Sequence, residues 1–343
     1  MRILFAAHRH DYGRPERGLS FEYFNFYEPL THLGHDVTFF DIGEHAPAGA
    51  PASADEALAA AVRTVEPDLL FTFLYADEIS PEAVATVTAA GVPTLNWFAD
   101  DHWRFEAFSS RYAPSYAWIA TTAASALPKY AALGCTNVIK TQWAAAHHRY
   151  RPSGEPLRYD ATFVGQVYGE RPALVARLRA EGVQVRTWGT GWAERRWHRA
   201  VAHRPVVRSL GGRRVLAAAQ ARTRCSQEEM IRIFGTSRIN LNFTEASQGP
   251  EAQIKGRTFE VPACGGFLLT GRSAHLEEYY EPDREVVVFD GPDELVDKVT
   301  YYLAHDDERS RVAEAGLRRT LAEHTYEQRL TRIFDRMGLA VGG

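Results

Sequence analysis

Short apolar runs alternate with amphipathic segments along most of the chain, and no other feature constrains the fold as strongly. The run RILFAA is followed by the amphipathic segment FEYFNFYEPLTHLG and then by the apolar run HDVTFFDI. A strand, a helix and a second strand in this order form a parallel βαβ unit with a right-handed crossover. The alternation continues as far as NVIKTQW, which predicts about six strands in one doubly wound α/β domain.

The alternation is interrupted at residues 149–160, RYRPSGEPLRYD, which contain two prolines, a glycine and five charged side chains. This composition is typical of an interdomain linker. The order then restarts with ATFVGQ, RPALVARLRAEG and VQVRTWG, and 343 residues are more than one core usually holds. We therefore predict one domain at 1–150 and a second at 151–325, with a cleft between them. We place a last helix within 326–343 and consider that it crosses back to the first domain.

The composition excludes several classes of protein. The formal net charge is −4, with 39 Lys and Arg against 43 Asp and Glu, so we expect no nucleic-acid partner. Three scattered cysteines do not suit a disulfide framework or a zinc site, and we expect no metal. No window approaches about 18 uninterrupted apolar residues, and the first residues do not resemble a secretory signal. We therefore expect a cytoplasmic protein without a transmembrane segment, and we make no prediction of its oligomeric state.

Two further features concern anions and cofactors. Residues 194–224 form an arginine-rich insertion, which is either a solvated helix or mobile loop, or a surface for a partner or an anionic acceptor. No GxxxxGK[ST] phosphate loop occurs, and the only GxG, in GTGW, lacks the third glycine of a dinucleotide site. We therefore expect no cofactor, and an NAD-linked oxidoreductase is poorly supported.

The stretch KGRTFEVPACGGFLLT combines two cations, a glutamate and a glycine pair. It predicts a helix that starts near 253–256 and ends in a left-handed turn at Gly265–Gly266, before a buried strand. Lys255 and Arg257 would lie at the helix start, where free backbone N–H groups also attract anions. Glu260 would lie on the same face. A nucleotide diphosphate needs cations for its phosphates and a carboxylate for its ribose hydroxyls, but a surface ion pair and a routine helix cap explain the pattern equally well.

Longer motifs favour the nucleotide-diphosphate site over the surface ion pair. RTFEVPACGGFLLT, EYYEPDREVVVFDGPDELVDKVTYYLAHDDER and AEAGLRRTLAEHTYEQRL resemble the C-terminal signature of CgeB-like glycosyltransferases. These are GT-B enzymes of glycosyl transferases group 1, related to the glycogen-synthase-like retaining class. The resemblance runs from ATFVGQ to HTYEQRL, and the first half matches more loosely through LNWFADD and LPKYAALGCTNV. It implies two Rossmann-like domains that face each other across a cleft, the first binding the acceptor and the second a nucleotide sugar.

The resemblance also implies roles for single residues. Glu260 takes the place of the family's ribose-binding glutamate, and Arg257 becomes the candidate for the diphosphate. Gly165, in the loop FVGQVYGERP, would approach the phosphates. Arg171 would be a second cationic clamp or, alternatively, a helix-start arginine that points to solvent. The other donor-binding candidates are Asn242, Thr244, Glu245, Lys255 and Gly265. Related retaining enzymes carry a second glutamate eight positions before the ribose one, but here that position is Ala252.

Polar side chains also follow two predicted strands of the first domain. NWFADDHW places Asp100, Asp101 and His102 after one strand, and AAHRHDYG places His8 and His10 after the first strand. Ligands of open parallel sheets bind beyond the carboxyl ends of strands. Asp100, Asp101 and His8 are therefore candidate catalytic groups, and Asp100, His10 and His102 are candidate acceptor-binding groups. The alternative is that the acids end a strand in a polar loop and that the histidines are bonded within theirs.

Together these features predict a glycosyltransferase of the EC 2.4 type that moves a sugar to a hydroxyl or similar acceptor. The donor is a nucleotide sugar, with UDP, dTDP and GDP not distinguished, and the acceptor is not identified. The resemblance implies retention and no metal ion, with Arg257, Arg171 and Lys255 stabilising charge on the leaving diphosphate. For an inverting enzyme, Asp100 or Asp101 would be the base. Two alternatives stay open: an inactive nucleotide-sugar-binding module, suggested by Ala252, and a GT-B-type nucleotide-sugar epimerase.

Overall fold

A computed structural model of the chain describes residues 1–45, 51–192, 224–246, 248 and 251–339. The chain divides into two compact units. Unit 1 contains residues 1–146 and the chain from 324 onward, and unit 2 contains residues 147–323. The last helix, Tyr326–Met337, therefore groups with unit 1. The arginine-rich insertion at 194–224 lies outside the described residues, apart from its last residue.

Unit 1 is built on a six-stranded parallel sheet. Its strands are β1 (Arg2–Ala7), β2 (Asp36–Asp41), β3 (Leu69–Thr72), β4 (Thr94–Phe98), β5 (Trp118–Thr121) and β6 (Val138–Lys140). Its helices before the linker are α1 (Glu28–His32), α2 (Ile42–His45), α3 (Pro51–Val65), α4 (Pro81–Ala89), α5 (Asp101–Arg104), α6 (Ser110–Tyr112) and α7 (Leu127–Ala132). π-Helical turns at Tyr23–Tyr27 and Phe105–Ser109 precede α1 and α6. 3₁₀ turns lie at Asp11–Gly13, Pro15–Arg17, Ala113–Ser115 and Ala124–Ala126.

The strand order in unit 1 is β2-β1-β3-β4-β5-β6, and the predicted doubly wound sheet is confirmed. Ile3 of β1 lies opposite Val37 on one side and Leu69 on the other. All four residues of β3 are buried, which explains its continuous apolar run, because helices cover both faces of a parallel sheet. The strand order reverses between β1 and β3, so the carboxyl ends of these two strands mark the predicted ligand position of this sheet.

Unit 2 is built on a five-stranded parallel sheet of order β11-β10-β9-β7-β8. Its strands are β7 (Tyr159–Val164), β8 (Val185–Trp188), β9 (Ser237–Asn242), β10 (Leu268–Gly271) and β11 (Val287–Phe289). Its helices are α8 (Arg171–Ala180), α9 (Gln227–Gly235), α10 (Arg257–Ala263), α11 (Pro292–Ala304) and α12 (Asp306–Glu323), with a 3₁₀ turn at Leu276–Glu278. Here the order reverses between β7 and β9.

Side-chain caps fix the starts of three described helices, and at α4 the Ser80 side chain accepts from the Ala83 amide at 3.1 Å. Ser226 accepts a hydrogen bond from the Glu229 amide at 3.1 Å and begins α9. Thr325 and Gln328 form a reciprocal capping box at the start of α13 (Tyr326–Met337). Within the described part of the chain, no helix is both long enough and apolar enough to cross a bilayer.

Candidate functional site

The loop after β7 is held in place by the end of the neighbouring strand. The Gly165 amide donates to the Trp188 carbonyl at 2.8 Å, and the Trp192 indole donates to the Gly165 carbonyl at 2.7 Å. A Cβ on Gly165 would lie 2.6 Å from the Phe163 ring, so only glycine fits this position. The predicted loop is present at the strand-order reversal, but the Gly165 carbonyl is already bonded within the protein.

Arg171 is a buried brace rather than a solvent-facing side chain. It is 5 % exposed, and its guanidinium donates to the carbonyls of Gln166 and Phe243, each at 3.1 Å. The guanidinium carbon lies 3.6 Å from the centre of the Tyr168 ring. Burial lowers the pKa of Arg171 to about 10. The solvent-facing alternative is therefore wrong, because the side chain ties the loop after β7 to the end of β9.

Two of the three candidates around β9 serve the packing of the sheet. Asn242 is buried and donates to the Thr270 hydroxyl at 3.0 Å. Thr244 is buried and donates to the Arg272 carbonyl at 3.1 Å. The expectation that their polar groups line a donor-sugar pocket is therefore not supported, because these hydrogen bonds link adjacent segments of the unit.

The Glu245 carboxylate lies at the start of α8. Both of its oxygens accept from the Glu170 amide, at 3.2 and 3.3 Å. A Cβ on Gly169, whose φ is +55°, would come within 2.4 Å of Glu245 Oε2. The backbone of Glu245 also pairs with that of Ala252 in an isolated antiparallel bridge. The missing glutamate at 252 thus has an acidic neighbour on the same face.

The helix α10 begins at Arg257, as the sequence predicts, but it contains only seven residues. The Thr258 amide donates to the Lys255 carbonyl at 3.0 Å, and the Phe259 amide to the Gly256 carbonyl at 2.9 Å. Two of the amides expected to be free at this helix start are therefore already bonded within a tight turn.

The predicted end of α10 is confirmed. Gly265 has a φ of +71°, and its amide donates to the Pro262 carbonyl at 2.8 Å. The Gly266 amide donates to the Val261 carbonyl at 3.1 Å. This pair of bonds is a Schellman motif. Gly265 therefore ends the helix, and this structural role accounts for its presence in the motif.

Arg257 is a half-buried cation without an ion pair to any described carboxylate. Its closest polar contact is the Met230 sulfur at 4.0 Å, and its Nε is buried without a hydrogen bond to the described residues. The positive charge of Arg257 lowers the pKa of Arg171 and of Glu260, which places the three side chains near one another. Lys255 differs, because its ammonium donates to the Gln253 side chain at 2.8 Å.

Glu260 is a buried carboxylate held by a tyrosine. It is 4 % exposed, and the Tyr150 hydroxyl donates to its Oε1 at 3.3 Å. Burial raises the pKa of Glu260 by more than Arg257 and the Tyr150 hydrogen bond lower it, so the net shift is upward. Its Oε2 has no hydrogen-bond partner in the described part of the chain. Arg257 and Glu260 thus offer a cation and an acceptor side by side.

In unit 1, His8 forms a pair that the sequence analysis missed. His8 Nε2 lies 3.4 Å from Glu78 Oε1, and the two side chains are 15 % and 14 % exposed. Burial lowers the pKa of His8, but Glu78, Glu22 and Asp41 raise it by more, so the net shift is upward. The Tyr75 hydroxyl donates to the buried Glu22 carboxylate nearby. Tyr75 and Glu78 follow β3, and this position after a strand could have identified them from the sequence. Glu22 follows no strand, so the sequence carried no such signal for it.

The two adjacent acids after β4 have different surroundings. Asp101 is 2 % exposed and accepts hydrogen bonds from Ser109 and Thr121, each at 2.5 Å, and from Tyr130 at 2.7 Å. Such a carboxylate joins elements and is not available to an acceptor. Asp100 is half-buried and lines a small cavity with Tyr75 and Arg104.

The other two candidates of unit 1 are also half-buried. His102 lies in α5, and His10 pairs with Leu19 in the first loop.

Comparisons with known proteins agree with this architecture. The family described as "Glycosyl transferase-like" matches residues 171–335. The spore protein CgeB of Bacillus subtilis strain 168 is 20 % identical over 278 residues, which are 78 % of this chain and 82 % of that protein. The resemblance to CgeB-like glycosyltransferases is confirmed.

Solved structures extend the comparison over nearly the whole chain. A glycosyltransferase from Rickettsia africae ESF-5 superposes with a TM-score of 0.61 at 12 % identity, covering 99 % of both chains. Anabaena Alr3699/HepE in complex with UDP-glucose superposes with a TM-score of 0.62 at 11 % identity, covering 98 % of this chain and 99 % of that one. The predicted GT-B fold, with two Rossmann-like units, is therefore confirmed.

Proposed function

We propose that the chain transfers a sugar from a nucleotide-diphosphate donor to an acceptor hydroxyl. The observation that carries this proposal is Arg257, a half-buried cation without a described carboxylate partner, beside the buried carboxylate of Glu260. A partly desolvated charge is costly unless a ligand supplies the opposite charge. A diphosphate supplies that charge to Arg257, and the hydroxyls of the adjoining ribose suit Glu260.

The donor class is supported by a structural relative. HepE was solved with UDP-glucose, so UDP-glucose is the first donor to test. In the proposed reaction, the bond between the sugar C1 and the diphosphate oxygen breaks, and the electron pair leaves with the diphosphate. The acceptor oxygen bonds to C1 from the same face, and its proton passes to the leaving oxygen, which gives retention.

Arg257 would stabilise the growing charge on the diphosphate without a metal ion. Arg171 would act indirectly, because its guanidinium braces the loop after β7 and only its charge reaches the site. Retention and metal independence rest on the resemblance to the retaining class. Glu245 weakens the argument for an inactive binding module, since it is the bridge partner of Ala252, where the family's second glutamate would stand.

The test uses purified protein and UDP-glucose. We expect Arg257→Ala to lower the rate of UDP release about 10²–10³-fold, as for removal of one oxyanion-stabilising group. Arg232→Ala is the matched control, because Arg232 is an exposed arginine of the same unit paired with Glu155 at 2.9 Å. UDP-glucose turnover that is equal in both variants would contradict the proposal, as would failure of UDP-, dTDP- and GDP-sugars to raise the melting temperature.

Product analysis separates the remaining alternatives. A free, altered sugar formed without acceptor would identify an epimerase. An inverted anomeric product would require a base, and His8 with Glu78 would then be examined before Asp101, because Asp101 is enclosed by three hydroxyl groups.

A further inference from the structure

Three segments of unit 2 are joined by a chain of hydrogen bonds that ends at Glu260. The Gln227 side-chain amide, at the start of α9, donates to the Tyr150 oxygen at 3.1 Å. The Tyr150 hydroxyl donates in turn to Glu260 Oε1 in α10 at 3.3 Å. Tyr150 precedes β7 in the chain and is 1 % exposed, so its side chain is shielded from solvent.

The direction of this chain is fixed by chemistry. An amide NH₂ group can only donate, so it occupies an acceptor position on the Tyr150 oxygen. The phenol proton is therefore left to point at Glu260. Burial and the charge of Glu260 raise the pKa of Tyr150, so the phenol stays neutral and remains a donor.

The same contact acts on the ionisation of Glu260. A buried carboxyl group tends to stay protonated, and a protonated one would lose acceptor capacity. Two groups oppose this: the charge of Arg257 on the same helix and the Tyr150 hydrogen bond from outside it. A further titratable neighbour is the Cys264 thiol, whose pKa is raised by burial and by Glu260.

We propose that Tyr150, oriented by Gln227, is a positioning residue that holds Glu260 as the ionised acceptor for the ribose hydroxyls of the donor. This inference rests on the proposed function. Tyr150 occupies Oε1 and leaves Oε2, which has no partner among the residues that the structure describes. The hydroxyl-bearing pentose would then be recognised through Oε2, while Arg257 recognises the diphosphate.

The experiment measures binding of UDP, 2′,3′-dideoxy-UDP and inorganic pyrophosphate by calorimetry. Wild-type protein should prefer UDP to the dideoxy analogue. Tyr150→Phe keeps the ring and removes only the hydroxyl, and we expect it to reduce that preference about tenfold, the size of one hydrogen bond to a charged group. Pyrophosphate affinity should not change, because it depends on Arg257.

A pH series gives a second readout. Loss of the Tyr150 hydrogen bond should raise the pKa of Glu260 further. The weakening of UDP binding in acid should therefore begin at a higher pH in Tyr150→Phe than in the wild type. Gln227→Leu should move both readouts in the same direction by a smaller amount, because it frees the phenol to rotate. Tyr159→Phe is the control, since Tyr159 packs on Trp188 in the same unit.

The outcomes are distinguishable. If wild-type protein binds none of UDP, dTDP and GDP, the proposed function is overturned, and this inference with it. If the wild type prefers UDP to its dideoxy analogue and Tyr150→Phe keeps the same preference and pH profile, only the role of Tyr150 is overturned. A uniform loss of affinity for UDP, its analogue and pyrophosphate would also overturn it, because that result indicates general damage to the unit.

Discussion

At the scale of the residue, identical side chains have different roles because their burial differs. Arg171 is 5 % exposed and bonded to two carbonyls, whereas Arg257 is half-buried and has no ion pair to a described carboxylate. Asp101 is enclosed by hydroxyl groups, whereas its neighbour Asp100 lines a cavity. Charge alone therefore does not identify a binding residue; an unmatched charge does.

Asp101 gives a prediction about stability. Asp101→Asn should lower the free energy of unfolding by about 1–3 kcal/mol, because the amide nitrogen cannot accept the hydroxyl hydrogen bonds. Asp100→Asn should change stability by less than about 0.5 kcal/mol, since the Asp100 side chain forms no helix cap. Urea unfolding of both variants would measure the difference, and equal losses would contradict the structural role of Asp101.

The effect of Asp101→Asn on stability should also depend on pH. Burial raises the pKa of Asp101, while its hydrogen bonds to Ser109, Thr121 and Tyr130 lower it by less. A raised pKa in the folded state means that the contribution of Asp101 to stability is full below its unfolded pKa and is lost as pH rises through its folded pKa. The deficit of Asp101→Asn should therefore be larger near pH 4 than near pH 8. A deficit that grows with pH would show that the folded pKa is depressed instead.

At the scale of the element, the loops after the strands set the geometry of the candidate site. Gly189, after β8, has a φ of +129°, and a Cβ there would lie 2.1 Å from the Gly165 carbonyl oxygen. The two loops after β7 and β8 are therefore packed backbone to backbone. This contact, together with the Trp192 hydrogen bond, fixes the position of the Gly165 loop.

Substitution at Gly189 tests this contact. Gly189→Ala should cost more than the roughly 1–2 kcal/mol of a left-handed alanine, because the backbone of the Gly165 loop must also move. Gly182→Ala is the matched control, since Gly182 has a φ of +84° and open space around its Cα. Thermal and urea unfolding would compare them. If the two variants are equally stable, the packing of the two loops against each other does not contribute to the stability of the protein.

At the scale of the whole molecule, the last helix belongs to the unit that begins the chain. α13 buries Tyr326, Leu330, Ile333 and Phe334, and Tyr326 packs against Phe26 of unit 1 at 5.1 Å between ring centres. The aromatic residues near the start of the chain thus pack a core. Residues 324 onward accordingly group with unit 1.

Leu330 tests this grouping. Leu330→Ala should lower the free energy of unfolding by about 2–5 kcal/mol, as for other buried leucines. Hydrogen exchange should show lost protection in β1 and β4 of unit 1 but not in β7 and β10 of unit 2. Arg332→Ala, on the exposed face of the same helix, should change stability by less than about 0.5 kcal/mol. Equal loss of protection in both units would contradict the assignment.

The sequence by itself determined the order of the elements, the two parallel sheets and the C-terminal turn of α10. These features depend on the periodicity of apolar residues and on local turn chemistry, which are written in neighbouring positions. Only the tertiary structure decided which polar groups are already partnered. Tyr150 and Glu260 are 110 positions apart. His8, which follows β1, meets Glu78, which follows β3. Such contacts arise when distant segments pack together, and the burial that results sets the charge state and the availability of each group.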